Sequence, residues 1–248
     1  MTAKRRFSHK FHDQFVNDFV TEVLYGEDSV DYVNIEKMYR NLRYDSAKLR
    51  LIDMGAGSSA GNEQFRKISR IVKFSSVRGK YGRLLSRIVH WLRPSTIIEL
   101  GTGAGFSTMY MALAGERCMV YSIESCPEIA DLAKRNIQYL GLHNVEIFTG
   151  SFNEILPVIL QKIRHPLLIF IDGDHRGERL TGYFEAILPC TDDQTVFLLD
   201  DIRWSMSMEK AWNNILAKNE LSVSIDLFRM GILFLKKDIG KQHFIFRF

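Results

Sequence analysis

Paired cysteines are the first thing this sequence lacks. Its 248 residues hold three, Cys118, Cys126 and Cys190, spaced too widely for a CxxC zinc or redox pair, and their number argues against a disulfide framework. A reducing, cytoplasmic setting is the expectation. With 5 Pro and 17 Gly the chain is neither collagenous nor of low complexity. No stretch reaches ~18 uninterrupted apolar residues, so no membrane contact is expected. The basic start, with Lys4, Arg5, Arg6 and Lys10, is not followed by the apolar run of a secretory leader. Large excess charge is also missing, at 33 Lys+Arg against 29 Asp+Glu. Residues 1–80 carry 15 basic and 10 acidic side chains, but the signs are interspersed as on solvated helices, which makes a nucleic-acid partner a minor reading. What is present, 46% hydrophobic and 25% charged residues, suits a chain with a large buried core.

From Lys80 onward, short apolar β-type runs alternate with helix-period segments, the pattern of a parallel sheet covered by crossover helices. The strands read as Thr96–Leu100, Met119–Glu124, Val145–Phe148, Leu167–Asp172 and Thr195–Asp200. The helices read as Ser107–Ala114, Ile129–Leu140, Asn153–Ile163, Gly177–Leu188 and Met206–Lys218. Leu221–Leu227 and Ile232–Leu235 are joined by four residues, too few for a crossover, and predict an antiparallel hairpin. Gln242–Phe248 is a further β-prone run suited to a sheet edge. The fold class is therefore α/β, a doubly wound and mostly parallel seven-stranded sheet with an antiparallel last hairpin. Before it, Phe11, Phe15, Phe19 and Val23 recur every four residues, and Ile35 and Tyr39 likewise, so residues 1–79 read as a helical cap or dimerisation extension on a domain at 80–248. If that Phe stripe were exposed, it would make the chain a homodimer.

Two glycine-bearing turns compete for a ligand, Leu51–Ser58 and Ile97–Phe106. A nucleotide-binding turn must leave a buried strand and feed a helix, so that backbone amides approach the ligand without a Cβ in the way. Only the second does so, and the first reads as a loop. Glu124 follows Gly101 by 23 residues at the end of the next strand, where a carboxylate can accept both hydroxyls of a ribose. The dinucleotide fingerprint wants a third glycine where Phe106 stands. Glu99, two residues before Gly101, disfavours a pyrophosphate and favours a ligand carrying an ammonium.

Here the chain resembles the class I S-adenosylmethionine-dependent methyltransferases, whose first motif is an acid-x-Gly-x-Gly-x-Gly turn. Glu99, Gly101, Gly103 and Gly105 match it, with Thr102 and Ser107 inside and beside it, and Glu124 matches the acid that holds the cofactor ribose. It is similar more closely to the catechol and caffeoyl-CoA O-methyltransferases. Thr149–Pro157 resembles their adenine-side loop, which implies that Ser151, Phe152 and Asn153 lie near the base, with Phe152 where that group has a small polar residue.

Strand ends at Asp172-Gly173-Asp174-His175 and Asp200-Asp201 should gather beside the glycine turn, because open α/β sheets bind ligands outside their carboxyl ends. Crowded carboxylates repel unless a cation lies between them, and Mg²⁺ takes oxygen ligands in an octahedron. The resemblance implies Asp172, Asp200 and Asp201 as ligands of a divalent metal, with Asp201 standing where the family usually has Asn. Asp172 is also implied at the cofactor and in catalysis. His175 occupies the place of the family's catalytic Lys, and an imidazole can take a proton near neutral pH. Trp204, Tyr81 and Tyr183 are candidates for an acceptor pocket or for core packing. The reading is methyl transfer from S-adenosylmethionine to a hydroxyl of a small-molecule acceptor. Two others stand beside it, a nucleic-acid methyltransferase using the basic first third and a non-catalytic module retaining the fold. The absence of an Asn/Asp-Pro-Pro motif weighs against the first of these.

Overall fold

The computed structural model describes residues 13–51, 65–74 and 77–248. The basic start, Phe11 and all but the first residue of the turn Leu51–Ser58 lie outside the described residues.

Chain order runs through α1 (Gln14–Asp18), a π-helical turn (Phe19–Leu24), α2 (Val33–Leu42), β1 (Lys48–Arg50), β2 (Phe65–Lys67), α3 (Ile68–Phe74) and α4 (Lys80–Leu92). It then alternates as β3 (Thr96–Leu100), α5 (Phe106–Ala114), β4 (Met119–Glu124), α6 (Pro127–Tyr139), β5 (Val145–Thr149), α7 (Phe152–Leu160), β6 (Leu167–Ile171), α8 (Gly177–Ile187), β7 (Val196–Leu199) and α9 (Met206–Leu216). The last strands are β8 (Val223–Asp226), β9 (Gly231–Phe234) and β10 (Gln242–Ile245).

The main sheet has eight strands in the order β10-β8-β9-β7-β6-β3-β4-β5, where seven were expected. The eighth is the edge run, β10, which pairs parallel to β8. β8 and β9 form the antiparallel hairpin, and β9 runs antiparallel to β7. β3 sits between β4 and β6, so successive βα units proceed away from it in opposite directions. This reversal opens a crevice at the carboxyl ends of β3 and β6.

Period-two alternation sorts the sheet residues onto two faces. Ile97, Val120, Leu168, Phe170, Val196 and Leu198 pack with Leu84, Leu85, Ile88 and Val89 of α4. Ile98, Leu100, Ile123, Ile169, Phe197 and Leu199 pack with α7, α8 and α9 through residues such as Leu156, Phe184 and Trp212. The helices begin where local chemistry allows: Pro127 sits in the first turn of α6, and the Ser205 hydroxyl accepts from Met208 N at the start of α9.

The Phe stripe does not face solvent. Phe15 and Phe19 both pack edge-to-face on Trp91 and Phe234 at 5.0–5.4 Å, and Phe19 and Val23 are buried. The face that would have argued for a dimer is used within the chain.

Candidate active site

β3 delivers the chain into the crevice at Gly101. Gly101, Gly103 and Gly105 all have positive φ, at +104°, +53° and +86°. At Gly101 a Cβ would stand 2.4 Å from the backbone oxygen of Asp172, so neither the angle nor the space admits a side chain. Glu99, one residue before the strand end, is fully buried and accepts hydrogen bonds from Thr108 Oγ1 and Ser122 Oγ, each at 2.5 Å. Burial pushes its carboxyl up to about 7, against hydrogen bonds from Ser107, Ser122 and Thr108 that favour the charged form. Thr102 turns its hydroxyl to Ser122 Oγ at 2.6 Å. Glu99, Thr102, Gly105 and Ser107 thus stand behind the turn and shape it, rather than lining the cavity in front of it.

That cavity, about 410 Å³, is lined by Gly101, Gly103, Glu124, Ser151, Phe152, Asn153, Asp172, His175 and Asp201 among others. Glu124 ends β4 and is anchored through both oxygens. Oε2 accepts from Gly103 N at 2.9 Å and Oε1 from Cys126 N at 3.0 Å. Burial raises its pKa while these amides oppose the rise. Across the cavity, Ser151 caps α7: its Oγ accepts from Glu154 N and donates to Glu154 Oε2 at 2.7 Å. Phe152 lies edge-to-face on Tyr183 at 5.4 Å. It also covers Gly173, where a Cβ would come within 2.7 Å of the ring.

The acid rim divides. Asp174, in a left-handed conformation at φ 54°, pairs with Arg176 through both oxygens, lies 3.8 Å from Arg179, and accepts from Tyr183 Oη at 3.3 Å. Asp200 is buried and accepts from Arg229 Nε at 3.0 Å and Nη2 at 2.6 Å. Arg229 thus pairs with both its oxygens, and Asp200 is not among the side chains that come together as a possible cation site. Asp201, at φ 52°, lies 3.5 Å from Arg229 Nε and 3.7 Å from His175 Nδ1. Burial raises the pKa of Asp201, the Asp200 charge adds to the rise, and Arg229 and His175 oppose it. The Asp172 side chain has no hydrogen bond or ion pair with the described residues, and burial followed by the charges of Asp200 and Asp201 raises its pKa well above the usual carboxylate range, with Arg229 opposing the rise. One ligand atom each from Asp172, His175 and Asp201 can be chosen within 4.8 Å of one another.

Residues 98–202 match the methyltransferase-domain family. The catechol O-methyltransferase of Niastella koreensis is 33% identical over 130 residues, covering 51% of this chain and 58% of that protein. That of Bos taurus is 28% identical over 129 residues, covering 50% and 47%. The chain thus spans about half the length of these curated relatives. The O-methyltransferase from Bacillus cereus in complex with SAH superposes with a TM-score of 0.60 at 20% identity, covering 89% of this chain and 97% of that one. The two chains share the same α/β fold.

A cavity-lining residue that sequence reasoning passed over is Arg229. It sits in the turn between β8 and β9, pairs with Asp200, and places its guanidinium 5.4 Å from the Tyr81 ring centre. Burial works against its charge, but the hydrogen bonds and charge of Asp200 outweigh that and raise its pKa. The signal was available: a strand antiparallel to β7 must start at the rim where β7 ends, so its turn lands beside Asp200 and Asp201. Arg203 does the same for the other side of the turn, donating to both oxygens of Asp226 at 2.6 Å. Arg66, Ile71 and Phe74, from β2 and α3, close the cavity from the N-terminal part. Of the three aromatics weighed for a pocket, Tyr183 lines the cavity and Trp204 stands exposed 5.9 Å from the His175 ring. Tyr81 donates to Leu227 O at 3.1 Å and backs Arg229.

Proposed function

We propose that the protein transfers the methyl group of S-adenosylmethionine to a hydroxyl oxygen of a small-molecule acceptor. One observation carries the reading: a single cavity joins Gly101, Gly103 and Glu124 to Asp172, His175 and Asp201. The catechol O-methyltransferase relatives and the SAH complex of the Bacillus cereus enzyme support the donor and the acceptor chemistry.

Glu124 grips the ribose hydroxyls, its two backbone amide bonds fixing the carboxylate for that task. Gly101 and Gly103 let the donor lie against backbone, and Ser151, Phe152 and Asn153 border its base. Residues 1–79 act as a cap through Arg66, Ile71 and Phe74. In the reaction, the acceptor oxygen forms a bond to the methyl carbon as the carbon–sulfur bond breaks, in line, and the electron pair stays on sulfur. Most of the acceleration comes from holding oxygen, carbon and sulfur in that line, since well-oriented reactants gain up to about 7–11 kcal/mol. The hydroxyl proton leaves to the cluster of Asp172 and His175. Asp172, unpaired among the described residues, fits a divalent cation as well, which when bound would supply Lewis acidity toward the same oxygen.

Titration calorimetry with S-adenosylmethionine and its demethylated product tests the donor assignment. Both should bind in the micromolar range, and Glu124→Ala should weaken each by at least ~10-fold, about 1.4 kcal/mol. Absence of heat from either ligand on the folded protein would remove the proposal.

A further inference from the structure

A second cavity of about 280 Å³ opens between α2, the start of α4 and α5, and shares no lining residue with the first. Its wall carries Arg40 in the last turn of α2, Arg43 just after that helix, and Arg78 shortly before α4. Among the described residues the one acid on this wall is Glu36, which accepts from Arg83 Nη2 at 2.7 Å and so is already matched. Arg40, Arg43 and Arg78 form no ion pair among the described residues. Two of them are held by rings: the Arg78 guanidinium lies 4.1 Å from the Tyr39 ring centre, and that of Arg43 lies 4.7 Å from that of Tyr44. A guanidinium held over a ring keeps its in-plane N–H edge for an anion. Behind the arginines, Tyr39, Phe106 and Tyr110 form a buried lining, with Tyr39 edge-to-face on Phe106 at 5.6 Å. The surrounding layer has the same sign. Its described residues from Val33 to Lys80 include eleven Lys or Arg and only two acids, Glu36 and Asp45, and Asp45 accepts from Ala47 N.

We infer that this second cavity binds a small molecule bearing a phosphate monoester, its phosphate held by Arg40, Arg43 and Arg78. The inference is independent of methyl transfer. A carboxylate is matched by one guanidinium fork, whereas a phosphate monoester brings nearly two charges and three acceptor oxygens at neutral pH and can engage three guanidinia. The excess positive charge of the layer draws such an anion toward the cavity. Tyr39, Phe106 and Tyr110 offer an apolar surface to the organic part of the ligand. A polymer of phosphates would draw on the outward cations of the layer, such as the exposed Lys37 on α2, as much as on these three. Arg40, Arg43 and Arg78 instead share one cavity, which suits a compact ligand.

Titration calorimetry on the full chain at low ionic strength, with phenyl phosphate, inorganic phosphate and acetate as probes, tests the site. Phenyl phosphate should bind once per chain, inorganic phosphate should compete with it, and acetate at the same concentration should not. Arg43→Ala and Arg78→Ala should each weaken phenyl phosphate by ~10-fold or more, and Arg78→Lys should fall between, because an ammonium keeps the charge without the fork. Lys37→Ala, on α2 but off the cavity wall, and Arg176→Ala, on the wall of the first cavity, should leave binding unchanged. Unaltered thermal midpoints report that each variant is folded. Absence of phenyl phosphate binding, equal competition by acetate, or affinity unchanged in both Arg43→Ala and Arg78→Ala would each overturn the site. A loss in Arg176→Ala as large as that in Arg78→Ala would overturn it too, by putting the anion in the first cavity. A single-stranded RNA of about ten nucleotides completes the series. RNA binding tighter than that of phenyl phosphate and weakened equally by Lys37→Ala and Arg78→Ala would replace the site with a diffuse polyanion surface. Phenyl phosphate binding as described with no heat from S-adenosylmethionine would keep this site and sink the methyl-transfer reading instead.

Discussion

Replacing Arg229 by Met leaves the buried carboxylate of Asp200 without the partner that occupies both its oxygens. The Asp200 side chain is 0% exposed and that of Arg229 is 40% exposed. Removing one member of a fully buried ion pair costs about 3–5 kcal/mol, because the remaining charge is stranded away from water. The exposed part of the guanidinium is screened by solvent, so the expected loss is about 2–3 kcal/mol. For a chain of this size that corresponds to a midpoint lower by roughly 5–10 °C. Met keeps the aliphatic stem over Tyr81, which confines the change largely to charge and hydrogen bonding. Urea unfolding of Arg229→Met, Asp200→Asn and the double variant gives the coupling directly. The double variant should recover at least half of the Arg229→Met loss, since Asn carries no charge to strand. A loss under about 0.5 kcal/mol in Arg229→Met, or a double variant whose loss equals the sum of the singles, would refute the argument that this pair is held by burial.

Two further outcomes concern Glu99, behind the glycine turn, and Gly101, within it. Burial raises the Glu99 carboxyl from 4.5 to about 7, so between those values the unfolded chain has lost this proton while the folded chain keeps it, and stability falls as pH rises through that window. The full effect is about 3 kcal/mol. Glu99→Gln should gain that much on the wild type between pH 4 and pH 8 in denaturation midpoints, and parallel pH profiles of the two proteins would contradict it. Gly101→Ala should cost about 3 kcal/mol or more, since its Cβ meets the Asp172 backbone oxygen at 2.4 Å as well as a positive φ. Gly141→Ala, also at positive φ but with nothing within 4 Å, should cost only about 1–2 kcal/mol, and equal losses would show that the close approach is not what requires glycine.

Much of the fold could be read from spacing. β3 and β4 begin and end where their β-prone runs do, β3 buried along its whole length and β4 partly buried at Met119, Tyr121 and Glu124. The hairpin was legible because four residues cannot cross a sheet. The eighth strand was visible as a β-prone run suited to a sheet edge, but its parallel pairing with β8 was not, since that depends on where the hairpin leaves its edge. Gly101, Gly103, Glu124, Ser151, Phe152, Asn153, Asp172, His175 and Asp201 could be assembled at one rim because each follows the carboxyl end of a parallel strand.

Adjacent residues show where that legibility stops. Asp200 and Asp201 are alike in chemistry and neighbours in the chain, yet one is bound on both oxygens by Arg229 and the other faces His175. Thr102 and Gly103 share a turn, yet the threonine hydroxyl points to Ser122 while the glycine amide meets Glu124. Periodicity and turn chemistry are carried by neighbouring residues and set strand, helix and rim. Which carboxylate keeps its charge free is decided by a guanidinium from another strand pair, and only the folded chain brings it within hydrogen-bonding range.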